Sequence, residues 1–171
     1  MRNKSMLPLA TVVTGCCITL IACTTVTPPS SDPTPPVLTW HIENQTTGAS
    51  SSVTGSGSVA ASVNDSIRIT LKADDPQGIQ LIELGGGYVT SCQAGDAASS
   101  ASGSFGTDSQ PLSPDAQGNV LTSIFLIKTV VPDVSCPGGS SWQSTSVSLN
   151  GLGRNYFSGT TTGTLAITYG P

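Results

Sequence analysis

Residues 67–84 read IRITLKADDPQGIQLIEL, and the fold follows from how that string alternates and where it breaks. Ile67, Ile69, Leu71 and Ala73 fall on one side of an extended chain, with Arg68, Thr70 and Lys72 on the other. Successive strand side chains point to opposite faces, so the pattern predicts a strand with one face on a core and the other in water. Asp74-Asp75-Pro76-Gln77-Gly78 ends it, because proline has no amide for a ladder and glycine reaches the dihedrals of a tight turn. Ile79, Ile82 and Leu84 then resume apolar spacing around an outward Glu83. Gly85-Gly86-Gly87 is expected to mark a bulge or bend before Tyr88 and Val89.

The same period appears on both sides. Upstream, Leu38, Trp40 and Ile42 alternate with Thr39, His41 and Glu43, which predicts a half-buried strand with His41 outward. Residues 46–57 read as a Ser/Gly/Thr loop, and residues 59–63 as a short strand before an Asn64-Asp65 turn. Downstream, residues 93–119 are a long Ala/Ser/Gly/Asp stretch, expected to be a loop with a short strand around Phe105. Residues 120–131 are nearly continuously apolar, the signature of a central strand buried on both faces, and Pro132 ends it. Val147 and Leu149 point inward from residues 144–149, residues 150–159 form a turn, and Leu165, Ile167 and Tyr169 mark a closing strand. Only 9% of residues are charged, a poor basis for exposed helices, so the class is all-β.

The string IRITLKADDPQGIQLIEL resembles the second and third strands of bacterial immunoglobulin-like domains: an apolar strand ending in Ala, an Asp-rich turn, then Gly-Ile opening the next strand. The closing pair of strands is similar to the last hairpin of those domains. The resemblance implies an antiparallel immunoglobulin-like β-sandwich over residues 37–171, an architecture rather than an activity.

At the N-terminus, Arg2 and Lys4 precede the uncharged run from Met6 to Leu20, as in a secretory signal. That run is shorter than the roughly 20 apolar residues of a bilayer span. Leu20-Ile21-Ala22-Cys23 resembles the lipobox of bacterial lipoproteins. The resemblance implies a signal peptide over 1–22, removal before Cys23, acylation of that cysteine, and membrane attachment through an N-terminal lipid. A second such string, Val13-Thr14-Gly15-Cys16, would leave a shorter apolar core. Residues 23–36 hold five prolines among Ser and Thr and read as an extended tether. Thr24, where inner-membrane lipoproteins often carry Asp, resembles an outer-membrane destination.

Under that reading Cys16 and Cys17 leave with the signal and Cys23 carries lipid, so Cys92 and Cys136 remain as a disulfide in an oxidising compartment. The chain after residue 22 keeps four of the six basic residues against ten acidic ones, a net charge of −6, which argues against nucleic acid as a partner. Catalysis finds little support. His41 is the single histidine, no serine sits in a G-x-S-x-G elbow, and no metal set or cofactor motif is present. The expected function is a non-catalytic binding or spacer module for an envelope protein or surface ligand. Arg154, Tyr156 and Phe157 are the candidate binding loop, since Arg and aromatics are enriched at hot spots. Two alternatives remain open. One is a lipid-anchored hydrolase using paired carboxylates drawn from Glu43, Glu83 and the aspartates; the other is an adhesion module stabilised by calcium at Asp74 and Asp75, whose loop is expected to share an end with the Asn150–Asn155 loop.

Overall fold

Alternation at residues 67–74 becomes a strand whose inward residues are fully enclosed: Ile67, Ile69, Leu71 and Ala73 are each 1% exposed or less. The computed structural model describes Thr25–Val26 and residues 34–171. The signal peptide, Cys23 and most of the tether lie outside the described residues. In chain order the strands are β1 (Thr25–Val26), β2 (Val37–Asn44), β3 (Ser50–Thr54), β4 (Gly57–Ser62), β5 (Ile67–Asp74) and β6 (Ile79–Ala94). There follow β7 (Ala97–Ser104), β8 (Asp108–Pro111), β9 (Val120–Leu121), β10 (Ser123–Val130), β11 (Ser141–Asn155) and β12 (Thr160–Gly170).

β1 pairs with β9 in a separate two-stranded ladder, and the other ten form two facing sheets. One has the order β10-β5-β2-β3; the other runs β4-β12-β11-β6-β7, with β8 also on the β6 edge. The principal strands β2, β5 and β10 thus oppose β6, β11 and β12, and between those strands the chain changes sheets after β5, before β10 and after β10. This is the strand distribution of an immunoglobulin-like sandwich. All pairings are antiparallel except β4 with β12. The chain enters at Pro36, beside the Asp75 turn and the β11–β12 turn, an end we call the entry end.

The core is built around Trp40, which is fully buried and donates its indole N–H to the Gly55 carbonyl at 2.7 Å. The facing sheet makes room with glycine. A Cβ at Gly151 would lie 2.8 Å from Leu71 and 2.9 Å from Trp40, and one at Gly163 would strike the Gly55 carbonyl. Tyr169 ties the sheets at the far end, its phenol donating to the Val130 carbonyl at 3.0 Å. Burial, with the nearby Asp65 charge, pushes that phenol far above its ordinary value.

Several local expectations are corrected. The expected loop over 46–57 contains β3, whose serines pair with β2 and stay exposed, leaving no apolar period to read. β6 runs through Gly85–Gly87 without a bulge; register shifts occur near Gln143 and before Asn155 instead. The stretch 93–119 holds two strands, β7 and β8, with Phe105 between them, packed on Tyr88 at 5.6 Å between ring centres. β10 is a sheet edge rather than a central strand: Ile124 and Val130 face inward while Ile127 is exposed. β11 continues to Asn155, shortening the last turn.

The Cys92–Cys136 disulfide is formed, with Cα atoms 5.9 Å apart. β6 and β10 run the same way in opposite sheets, so the end of one and the loop after the other meet at the far end. Trp142 stands opposite Cys92 in register, its indole donating to the Thr145 hydroxyl at 2.9 Å. Asp133 fixes the same loop. Its carbonyl accepts from Thr90 and Thr145, both at 2.8 Å, and its carboxylate accepts the Tyr88 phenol at 3.0 Å.

Candidate functional site

The loop after β11 is organised by Asn155, which stands between Arg154 and Tyr156 but is not among the three candidate binding residues. Its Oδ1 accepts the amides of Phe157 at 3.0 Å and Gly159 at 2.8 Å, closing the turn. Its Nδ2 donates to Asp75 Oδ2 at 2.9 Å and to the Thr34 carbonyl at 2.8 Å. Asn155 is fully buried, so it clamps the first turn, the last turn and the entering chain together. The available signal was an Asn before two aromatics, since Asn accepts readily from amides two residues ahead.

Of the three candidates on that loop, only Arg154 is exposed. Tyr156 and Phe157 are half-buried, and the Tyr156 ring lies against Gly78. Burial raises the pKa of the Tyr156 phenol. The loop sits at the entry end, where Thr161 also bonds the Pro36 carbonyl at 2.6 Å. Asp75 is committed as well, since Oδ1 accepts the Gln77 amide at 2.7 Å and Oδ2 accepts Asn155. Asp74 pairs with Lys72 at 2.9 Å. Among the described residues no group of three or more His, Cys, Asp or Glu side chains could hold a metal ion.

His41 is exposed on β2 and lies 3.1 Å from the Ser52 hydroxyl. Glu43, on the same outer face, approaches Arg68 at 3.7 Å. Glu83 lies on the outer face of the other sheet and accepts from Ser109 at 3.0 Å. The two glutamates therefore stand on opposite faces of the sandwich, with the whole core between them.

Among the described residues a groove of about 430 Å³ lies on that second outer face. Register explains its lining. Thr164, Asn150 and Gly85 form one row across β12, β11 and β6, and Thr162, Leu152, Glu83 and Ser109 form the next. Thr107 closes one side. Glycine in a strand interior is destabilising and often marks close approach by a backbone or a ligand. Gly86 and Gly87 have backbone reasons, since a Cβ would strike the Ser148 carbonyl at the first and lie 2.7 Å from the Gly103 carbonyl at the second. At Gly85 the added carbon would crowd only the Thr107 hydroxyl, 2.7 Å away, so its bareness keeps the groove floor low.

The groove offers neutral hydrogen-bonding groups. Asn150 Oδ1 accepts from Thr164 at 3.4 Å while its Nδ2 has no partner among the described residues. The Thr107 and Thr162 hydroxyls are likewise uncommitted there. Glu83 is the only charged residue in the lining, which contains no aromatic ring.

These features define an all-β sandwich of immunoglobulin-like strand order, with a glycine-floored groove of mixed polar and apolar lining on the outer face of its larger sheet. No family model, curated protein or solved structure matches the chain.

Proposed function

We propose that this chain is a lipid-anchored protein of the bacterial cell envelope, exported by residues 1–22 and acylated at Cys23, whose sandwich is a non-catalytic binding module. The groove over Gly85 takes a neutral, hydroxyl-rich ligand of the saccharide class. The observation that carries this reading is the lining itself: free amide and hydroxyl groups with a single carboxylate and no cation. Such a surface suits paired donor and acceptor groups and offers nothing to an anion. The separation of Glu43 from Glu83 favours binding over carboxylate-pair hydrolysis, which needs both groups flanking one bond.

The test is an NMR titration of the isotope-labelled protein with neutral oligosaccharides of glucose and of N-acetylglucosamine. Amide shifts should centre on residues 83–86, 150–152 and 162–164, with affinity near the millimolar range, about −4 kcal/mol. Asn150→Ala and Gly85→Val should weaken them. Shifts confined to other surfaces would defeat the groove assignment, and oligosaccharide cleavage lost on Glu83→Gln would replace binding with hydrolysis. The anchor is tested separately: Cys23→Ser should lose radiolabelled palmitate and accumulate as precursor.

A further inference from the structure

Among the described residues β7 is a free edge of the larger sheet, and edge amides and carbonyls without partners are templates for another strand. Proteins blunt such edges by keeping them short or by placing charge, proline or a bulge on them. Among the described residues the other edges follow that rule. β3 has five residues and β4 has six. β10 carries Lys128, tied to Asp108 at 2.8 Å, and Pro132 follows it. β7 has no such protection. Its eight residues are AASSASGS, paired without a register break from Gly87 opposite Ser104 to Ala94 opposite Ala97.

We propose that β7 pairs antiparallel with β7 of a second copy of this chain, making the two larger sheets continuous. A two-fold axis sets an edge antiparallel against itself, so one self-compatible edge suffices. Uncharged side chains no larger than serine allow that approach without charge conflict. The nearest acids also avoid each other. With the register centred on Ser100, so that Ser100 faces the partner's Ser100, Asp96 in the turn before β7 falls opposite the partner's Ser104. The axis is perpendicular to the sheet, so both grooves open on the same side and a multivalent ligand can engage the two together. The pairing stands whether or not the groove binds saccharide.

Cysteine placed singly at Ser100, Ala101 or Ser102 of the full chain in its native envelope tests this. Directly opposed residues of an antiparallel pair have Cα atoms about 4.5–5.5 Å apart, within disulfide reach. At least one variant should give a dimer-sized band on non-reducing gels that reductant removes, while Ser51→Cys on β3 should not. Adding Ser102→Lys to Ser100→Cys should abolish the band. The proposal is overturned if none of the three variants cross-links, if Ser51→Cys cross-links equally, or if the wild-type chain in non-denaturing detergent is monomeric at every concentration. An intact Cys92–Cys136 bond in each variant verifies its fold.

Discussion

Replacing Gly151 with alanine should destabilise the wild-type sandwich more than a variant in which Trp40 is already phenylalanine. The new methyl group would lie 2.8 Å from Leu71 Cδ2 and 2.9 Å from Trp40 Cζ2, both inside van der Waals contact. Overpacking of a well-filled core costs about 1–3 kcal/mol. Trp40→Phe alone removes the six-membered ring that fills this space and leaves the Gly55 carbonyl, now 2.7 Å from the indole nitrogen, without its donor. An orphaned buried acceptor costs about 1–3 kcal/mol, and the cavity adds to that. In the double variant the alanine methyl occupies vacated volume, so the two changes should couple favourably by about 1–2 kcal/mol. Urea unfolding followed by circular dichroism, with tryptophan fluorescence as a second probe, measures all four corners of the cycle. Additive costs, within about 0.5 kcal/mol, would refute the account of Gly151 as the socket for Trp40.

Three further outcomes are expected. The denatured, unreduced chain should show no alkylatable thiol at Cys92 or Cys136, and converting both to alanine should cost about 3–4 kcal/mol, because the bridge closes a loop 44 residues long. Asn155→Ala, which removes a buried side chain with four hydrogen bonds, should cost about 2–4 kcal/mol by thermal or urea unfolding. Asn155→Asp should cost more at neutral pH and recover as pH falls, since its carboxylate would face Asp75. Finally, stability should decline as pH rises above about 10, where tyrosines ionise in the unfolded chain while burial keeps Tyr169 protonated in the folded one. The folded state then holds the extra proton, which gives that sign. Tyr169→Phe should flatten this alkaline slope, and an unchanged slope would count against the buried phenol as its source.

What the sequence determined by itself was local. A period of two over 38–42, 67–73 and 165–169 sufficed to place three buried strands, because large apolar residues fall only on the inward positions. The resemblance of residues 67–84 to immunoglobulin-like strands anticipated the sandwich, and counting cysteines anticipated their bond. Which strand lies at an edge was not legible, because pairing partners are distant in sequence. Thus β10, apolar enough for a centre, became an edge whose Lys128 meets Asp108 of the other sheet's flank. Nor could β3 and β7 be seen, since serine and alanine strands have no hydrophobic alternation and are held by backbone pairing alone. The three glycines at 85–87 look identical as text. Only the packed sheets distinguish two that admit a neighbouring carbonyl from one that floors a groove, because a missing Cβ acquires meaning from whatever lies within a few ångströms of it in space.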